Sequence, residues 1–399
     1  MVPIEHVGKD CCGCGACANI CPKRCIAMKA DEEGFLYPKV MADGCIKCGA
    51  CEKVCPVLHS EPENEEDRDE TWAASVLDPE ILRVSSSGGM FTVLAQNCLN
   101  EGGCVFGAAF SEDVRTVRHV MVETMEELNT LRGSKYIQSE IGGCYTAVRD
   151  QLKVGRRVLF TGTPCQTAGL KCFLGREYDN LLTVDLICHG APSALLWQKY
   201  LDAKEQEMGG KAVTANFRYK KNGWRGYGMQ IGFNNGLSSY QTIGKDQFLQ
   251  IFLKNASLRE SCYHCAVKRK AGFISDITIG DFWGVEKAAP EMDNTMGVSL
   301  ALIHTGKGKR YFEQIKAALY AKKVDKETAL RLNPVYRQSV IRPKKRDRIY
   351  TDLRTKDWNK ILRKYMSDSL KVRIRRKLSK SFLGKLVRNS KSLYTSSKP

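Results

Sequence analysis

The sequence predicts a mixed α/β domain preceded by a small cysteine-rich module. Three observations predict this: a repeated cysteine motif before residue 56, alternating helix and strand patterns from Trp72 to about Val340, and basic, acid-free sequence from Lys371. The chain has 399 residues, of which 43% are hydrophobic, so it can bury a core and general disorder is excluded. No apolar run reaches the roughly 18–20 residues of a membrane-spanning helix, and residues 1–10 lack a signal-type apolar stretch. We therefore expect a cytoplasmic protein.

The first cysteine motif occurs twice. In a reducing compartment, 18 cysteines point to metal or redox chemistry rather than to disulfides. Eight of them form two copies of C-x2-C-x2-C-x3-C-P, 34 residues apart. Bacterial two-cluster ferredoxins use this run, and the fourth cysteine of each copy ligates the other cluster. The motif predicts two 4Fe-4S clusters, one on Cys11, Cys14, Cys17 and Cys55 and the other on Cys45, Cys48, Cys51 and Cys21.

Zinc is the alternative for these thiolates, but zinc ribbons use two separated cysteine pairs. Cys12 and Cys25 lie off the pattern, and we expect them to be bystanders. The predicted two-cluster domain spans residues 1–58.

The remaining chain divides by composition. Residues 59–71 are acidic and lack apolar periodicity, which predicts a solvated linker. Residues 72–342 form the predicted α/β domain, and residues 343–399 the predicted basic tail. The apolar periodicity predicts helices at 90–100, 142–153, 164–173 and 193–207, and strands at 104–110, 117–122, 157–161, 181–188, 213–219, 227–233, 277–280 and 298–304.

The tail carries ten Lys or Arg residues and no acid from Lys371 to Pro399, and so supplies +10 of the net charge of +18. Apolar residues at steps of four between Leu370 and Leu386 predict a helix there. Peripheral contact with an anionic membrane is one interpretation, and a solvated helix packed on the body is the other. We do not expect nucleic-acid binding, because no recognised module accompanies the charge.

Eight cysteines follow the linker. Cys262-x2-Cys265 is a ligand-type pair, while Cys165 and Cys188 each follow a predicted strand. Two neighbouring parallel strands would present both thiols at one edge of a sheet, where α/β folds place their sites. Buried core thiols are the alternative for Cys165 and Cys188, and a zinc or dithiol pair for the other two. We assign the remaining four to the core: Cys98, Cys104, Cys144 and Cys172.

A small-residue turn, Ser85–Gly89, leads into the first predicted helix of this domain. Its backbone N–H groups and the helix N-terminus would suit a phosphate, and a plain helix cap explains the serines equally well. No G-x-G-x-x-G follows a strand, so an ordinary Rossmann nicotinamide site is not indicated.

The order of several motifs resembles one family. These motifs are Ser85–Gly89, Arg132–Tyr136, Phe160–Gln166, Cys188–Gly190, Cys262-x2-Cys265 and Asp276–Gly284. From Trp72 to roughly Arg342 the sequence resembles the beta subunits of coenzyme F420 hydrogenases and dehydrogenases. The resemblance implies an FAD beside a 4Fe-4S cluster.

The resemblance also implies site residues. The third cluster would use Cys165, Cys188, Cys262 and Cys265. FAD would be contacted by Ser87, Gly88, Gly89, Arg132, Ser134, Lys135, Tyr136, Thr161 and Thr163.

The expected catalytic residues are His189, Lys135 and Trp224. Trp224 lies in the Gly-containing loop 220–227, whose basic and aromatic residues would hold a substrate, although a surface hairpin is equally consistent. His189 would donate a proton near the flavin, or else serve as a structural hydrogen-bonding residue.

These expectations combine into an iron–sulfur flavoprotein oxidoreductase. Iron–sulfur clusters transfer single electrons, and a flavin transfers two electrons as a hydride. A protein with both can therefore convert one-electron transfer into hydride transfer and the reverse. Electrons would move between a ferredoxin or another redox partner protein, the clusters, FAD, and coenzyme F420 or an unknown small-molecule substrate. The alternatives are a non-catalytic electron-transfer adaptor that docks to a partner enzyme, and a non-redox scaffold.

Overall fold

The computed structural model describes residues 3–59, 70–268 and 275–365. The strands are β1 (Ile26–Ala30), β2 (Leu36–Val40), β3 (Glu70–Val76), β4 (Cys104–Phe110), β5 (Val117–Val122), β6 (Val158–Gly162), β7 (Leu181–Leu186), β8 (Ala212–Tyr219), β9 (Gly228–Phe233), β10 (Ser238–Thr242), β11 (Ile277–Asp281), β12 (Ser299–Ile303) and β13 (Leu319–Lys323).

The α-helices are α1 (Ala16–Ile20), α2 (Ala50–Lys53), α3 (Pro79–Val84), α4 (Met90–Asn100), α5 (Leu128–Leu131), α6 (Cys144–Lys153), α7 (Pro164–Leu174), α8 (Ala194–Met208), α9 (Gln247–Leu253), α10 (Val285–Ala288), α11 (Gly306–Ile315), α12 (Lys326–Leu330), α13 (Arg346–Thr355) and α14 (Trp358–Tyr365). Short 3-10 helices span Pro3–Asp10, Ala42–Gly44, Glu260–His264, Pro290–Met292, Lys316–Ala318 and Pro334–Tyr336.

An eight-stranded mixed sheet organises the body, in the order β13-β3-β12-β11-β7-β6-β4-β5. The four strands β4, β6, β7 and β11 run parallel, and the strands on either side of them run antiparallel. Helices cover both faces of the sheet. Because side chains alternate across each strand, neighbouring residues of one strand pack against helices on opposite faces. Val105 and Leu159 pack with α4 and α11, whereas Phe106 and Phe160 pack with α6 and α7. The predicted mixed α/β fold is confirmed.

A second core joins the antiparallel sheet β8-β9-β10 to four helices, α8, α9, α13 and α14. Aromatic side chains dominate this core, including Trp197, Phe217, Phe248 and Tyr350, all at most 1% exposed. Burial of such large rings supplies most of the stabilisation that holds the small sheet to the helices.

The N-terminal module contains the hairpin β1-β2 and two short helices that begin at matching points of the cysteine repeat. Gly15 and Gly49 precede α1 and α2 with φ values of 74° and 73°, a left-handed conformation that side chains rarely adopt. Asn19 of α1 donates a hydrogen bond of 2.7 Å to the Gly142 carbonyl of the body. The module is therefore packed against the larger domain.

The structure differs from the predicted boundaries in two places. Strand β3 begins at Glu70, inside the predicted linker, and pairs with both β12 and β13. Helices α13 and α14 lie within the predicted basic tail, and α13 buries Ile349, Tyr350 and Leu353 on one face. Basic residues dominate the composition there and obscure the apolar stripe. The helix predicted between Leu370 and Leu386 lies outside the described residues. Among the residues that the structure covers, no helix combines the length and apolar character needed to cross a membrane.

Candidate functional site

The first predicted cysteine quartet lines one cavity. Cys11, Cys14, Cys17 and Cys55 surround a space of about 320 Å³, together with Cys12 and apolar residues of the first 3-10 helix. Gly13 at φ 71° and Gly15 at φ 74° turn the loop that carries three of these thiols. The short cysteine spacing thus produces a closed turn whose side chains face inward.

The second predicted quartet lines another cavity. Cys21, Cys45, Cys48 and Cys51 surround about 390 Å³, and Cys48 is exposed. Cys25 lines the same cavity, with its Sγ 3.4 Å from the Cys21 Sγ. Cys12 and Cys25 therefore lie at the two cavities, although the repeat pattern predicts them to be bystanders.

The cysteine lining of both cavities fits a 4Fe-4S cluster. A 4Fe-4S cluster has a volume of its own, so its thiolates must line a cavity rather than converge on a point. Burial raises the pKa of the Cys17 and Cys55 thiols. Bound iron would supply the positive charge that keeps such thiols ionised.

The third predicted quartet also assembles in the structure. Strands β6 and β7 are parallel neighbours, which confirms the expected adjacency of the segments carrying Cys165 and Cys188. The Ala191 backbone N–H donates to the Cys262 Sγ at 3.3 Å, which fixes the CxxC pair beside the loop after β7. Burial is the main cause that raises the pKa of Cys262 to about 12, and the charges of Cys165 and Cys265 contribute to this rise. Burial likewise raises the pKa of Cys188, and the charges of the other three thiols contribute to this rise.

Cys12 connects the first quartet to the third. A side-chain hydrogen bond to Cys14 is the largest influence raising the pKa of Cys12, and the next is a hydrogen bond to Cys165, which lowers it. The corresponding interaction with Cys12 is the largest influence raising the pKa of Cys165. Cys12 and Cys14 are buried in one apolar cluster against which Cys165 packs, so this buried thiol lies between the two cysteine sites.

The other cysteines divide between core and site. Cys98, Cys104 and Cys144 are buried, as predicted for core residues. Cys172 is only half-buried and packs beside Cys165 and Cys265.

The Ser85–Gly89 turn is anchored in the sheet. The Gly88 N–H donates to Ser299 Oγ at 2.9 Å, and Ser87 Oγ donates to the Val298 carbonyl at 2.8 Å. A Cβ on Gly88 would lie 2.2 Å from the Ala74 carbonyl oxygen, so only glycine fits there. Gly89 takes φ 87° as the residue before α4. These hydrogen bonds use the Gly88 N–H and the Ser87 hydroxyl, so these two groups are not free to donate to a phosphate.

The Arg132–Tyr136 segment lies against this turn. The Ser134 N–H and Oγ donate to Ser86 Oγ at 2.7 and 2.9 Å. Lys135 donates through Nζ to the carbonyls of Leu131, Arg132 and Gly133, and burial lowers its pKa to about 7.

Three further cations converge on the same region. Lys220 donates through Nζ to the carbonyls of Leu82, Ser87 and Met296, and burial lowers its pKa to about 8. Arg218 pairs with Asp281 at 2.8 Å and approaches the Ser86 carbonyl at 3.4 Å. The buried Nε of Arg132 has no hydrogen-bond partner among the residues that the structure describes.

An anionic group fits this arrangement. Two carboxylates act on these cations: Asp281 pairs with Arg218 and acts on Lys220, and Asp78 acts on Arg132. Burial lowers the pKa values of Arg132, Lys135 and Lys220, and an anion bound beside them would offset the cost of burying their charges. The residues therefore fit the phosphates of FAD, although the donors of Ser87 and Gly88 are already used.

The predicted aromatic and threonine contacts divide into two groups. Tyr136 stacks on Phe252 with ring centres 4.7 Å apart, and Phe252 in turn contacts the His189 ring at 4.9 Å. Thr161 donates to the Phe106 carbonyl, and Thr163 forms the capping box at the start of α7. Both threonine hydroxyls therefore serve local structure.

The predicted catalytic residues are not gathered in one open pocket. His189 Nε2 lies 2.7 Å from Asn255 Oδ1, and burial lowers the His189 pKa. Trp224 is 1% exposed and stacks on Trp283 at 4.9 Å and 7°. Trp224 is thus a core residue, whereas its loop connects the antiparallel strands β8 and β9, as the surface-hairpin interpretation expects. Lys135 lies at the cation cluster described above.

Sequence reasoning missed several residues at these sites. Cys12, Cys25 and Arg259 each contact a predicted site residue, and Arg218 contacts Ser86 beside one, but none of the four lies on a recognised motif. Only Arg259, three residues before the CxxC pair, has a position that signals its importance.

The chain matches three family models. Residues 10–58 match the 4Fe-4S dicluster domain. Residues 71–143 match the N-terminal part of the coenzyme F420 hydrogenase/dehydrogenase beta subunit, and residues 155–328 match its C-terminal part. Together the two beta-subunit models cover more than half of the chain.

Comparison with known proteins gives a distant structural likeness. No curated protein matches the sequence significantly. A chain of the F420-reducing NiFe hydrogenase complex from Methanosarcina barkeri is 17% identical, with a TM-score of 0.47, and the match covers 69% of this chain and 88% of that chain. On the evidence of the family models, the protein belongs to the coenzyme F420 hydrogenase/dehydrogenase beta subunit family and carries a 4Fe-4S dicluster domain in front of that subunit.

Proposed function

We propose that this protein is an iron–sulfur flavoprotein oxidoreductase that links a one-electron carrier to a hydride-accepting or hydride-donating substrate. The packing of Cys12, Cys14 and Cys165 in one apolar cluster carries this proposal, because it brings the dicluster module next to the third quartet. A continuous series of redox sites is required if single electrons are to reach a flavin.

Electrons would enter at the second quartet. Cys48 is exposed, whereas Cys14, Cys17 and Cys55 of the first quartet are buried. Lys23 and Lys47 line the second cavity and are exposed, and Ile46 between them is 57% exposed. A basic rim with an apolar centre suits a small acidic carrier protein, such as a ferredoxin, since opposite charges steer the two surfaces together.

From the third quartet, a row of rings leads toward the cation cluster. His189 follows Cys188 directly, and its ring contacts Phe252, which stacks on Tyr136. Tyr136 and Cys262 also belong to one apolar cluster. This row of packed rings connects the two sites.

FAD would be held by the cation cluster. Arg132, Lys135 and Lys220 would bind its phosphates, and Ser134 would offer a further hydroxyl. When bound, FAD supplies the conversion between single-electron and hydride transfer. Coenzyme F420 or another small molecule would be the hydride partner, as the family name implies for its members.

A non-catalytic adaptor is the second candidate, and the burial of Trp224 favours it. The sequence predicts Trp224 as a substrate contact, but this side chain is buried and stacks on Trp283, where a substrate cannot reach it. An adaptor would carry clusters without stoichiometric flavin.

Anaerobic purification with iron, sulfide and FAD quantitation separates the two. The oxidoreductase predicts about twelve irons and one FAD per chain, whereas the adaptor predicts no flavin. The double variant Arg132→Met/Lys135→Met should lose FAD and keep its iron, and Arg83→Met, at an exposed ion pair, is the matched control. Wild-type protein with about eight irons and no flavin would refute both the third cluster and the oxidoreductase.

A further inference from the structure

Arg259 is a fully buried cation whose hydrogen-bond partners within the described residues are all neutral. Its side chain is 0% exposed. Nε donates to the Cys11 carbonyl at 2.6 Å, one Nη donates to Gln138 Oε1 at 3.2 Å, and the other donates to the Leu36 carbonyl at 2.9 Å. The guanidinium carbon lies 4.1 Å from the centre of the Tyr37 ring. Arg259 forms no salt bridge with any carboxylate of residues 3–59, 70–268 and 275–365.

Such a charge needs an anion nearby. Moving a guanidinium out of water is strongly unfavourable unless opposite charge compensates it, and hydrogen bonds to carbonyls offset only part of that cost. Other buried arginines here follow the rule, since Arg218 pairs with Asp281 and Arg346 pairs with Glu33. Arg259 therefore lacks a partner that its burial requires.

Two cysteine sites surround this cation. Its bond to the Cys11 carbonyl places it at the first quartet, and Ser261 donates to the same carbonyl at 3.2 Å. On the other side lies the third quartet. The Cys262 N–H donates to the Arg259 carbonyl at 3.0 Å, and the Arg259 charge acts on both Cys262 and Cys165. Each 4Fe-4S cluster with four thiolates carries about −2 when oxidised.

We propose that Arg259 is the counter-charge shared by the first and third clusters, and that it sets their reduction potentials as a positioning residue. The proposal rests on the function proposed above. Reduction adds one electron to a cluster and leaves it more negative by one charge, so a fixed cation nearby favours the reduced form. No proton, oxidant or further reactant enters this step. Arg259 also ties the Cys11 loop to Gln138 of the body, which keeps the two clusters at a constant separation.

The test is an anaerobic redox titration of the full-length protein followed by EPR. Arg259→Gln removes the charge, and we expect the midpoint potentials of the first and third clusters to become more negative. The second cluster lies in the other cavity, so its potential should remain unchanged and serve as an internal reference. Arg259→Lys keeps the charge and should keep both midpoint potentials close to their wild-type values. A Cys262→Ser background, which removes the third cluster, assigns the signals.

A second variant keeps the test decisive if Arg259→Gln does not fold. Gln138→Glu retains Arg259 and places a carboxylate at its Nη, where Gln138 Oε1 now lies at 3.2 Å. It should shift the same two potentials in the same negative direction. Arg83→Gln, at an exposed pair with Glu80, is the matched control and should shift none.

Three outcomes would overturn the proposal. These are unchanged potentials in Arg259→Gln, an equal shift of all three clusters, and a shift in Arg259→Lys as large as in Arg259→Gln, which would indicate lost hydrogen bonds rather than lost charge. Absence of a third cluster from the wild type would contradict the proposed function, and the first cluster would still report on Arg259.

Discussion

Arg346 forms a two-pronged ion pair with Glu33, in which the two guanidinium–carboxylate distances are 2.9 and 2.6 Å. The Arg346 side chain is 2% exposed and also donates to the Leu258 carbonyl. Glu33 lies in the turn between β1 and β2, whereas Arg346 begins α13. The pair therefore fastens a helix near the C-terminal end of the described chain to the dicluster module.

Breaking this pair should destabilise the protein. Arg346→Met leaves Glu33 without its main partner, and removing one member of a buried pair costs about 3–5 kcal/mol. We expect a fall of several degrees in the apparent unfolding temperature, measured anaerobically by circular dichroism. The double variant Glu33→Met/Arg346→Met should recover part of the loss, because no unpaired charge remains. An Arg346→Met protein as stable as the exposed-pair variant Arg83→Met would contradict this prediction.

The two thiols of Cys21 and Cys25 should be partly interchangeable as ligands. Their Sγ atoms are 3.4 Å apart, and both line the second cavity. We expect Cys25→Ser to keep its full iron content and Cys21→Ser to keep much of it. The double variant Cys21→Ser/Cys25→Ser should lose about four irons, which is one cluster. If Cys21→Ser alone loses all four, Cys25 does not substitute for Cys21.

Lys135 should make stability depend on pH. Burial lowers its pKa from the ordinary 10.5 to about 7. Between these values the unfolded chain binds more protons than the folded chain, so stability should rise as the pH increases from about 7 to 10, by up to ~1.4 kcal/mol per pH unit. In flavin-free protein, unfolding temperatures across this range should show a smaller rise for Lys135→Met than for the wild type.

Lys153, an exposed residue at the end of α6, supplies the control for that measurement. Lys153→Met should retain the wild-type slope. Equal slopes in all three proteins would show that Lys135 does not titrate in this range. Bound FAD should abolish the Lys135 contribution, since phosphates favour the charged ammonium.

Reversing the charge around the second cavity should slow electron uptake from an acidic carrier. Lys23→Glu/Lys47→Glu replaces two exposed cations on the rim of that cavity. Electrostatic steering changes association rates by about 10–1000-fold, so we expect a roughly tenfold or greater fall in the second-order rate of reduction in stopped-flow experiments at low salt. High salt should narrow the difference. Lys153→Glu is the matched variant, and an equal effect there would exclude a localised docking site.

The sequence predicts local elements well where the apolar pattern is strong. The expected helix at 90–100 and the strands at 104–110 and 117–122 have the bounds of α4, β4 and β5. It predicts less well where charge surrounds a short apolar run. Strand β3 follows an acidic segment and α13 lies in basic sequence, and long-range pairing with β12 and with Glu33 stabilises them. The composition around these two segments does not indicate partners that are distant in the sequence.

The sequence by itself determined the dicluster module, because the ligands of each motif lie within eleven residues and the turn that positions them is local. Only the tertiary structure decided how Cys165, Cys188 and the CxxC pair meet, since the order of strands in the sheet sets that meeting. The same holds for Cys12 between two quartets and for Arg259 beside them. Their significance lies in contacts between segments up to about 250 residues apart, which short-range spacing does not encode.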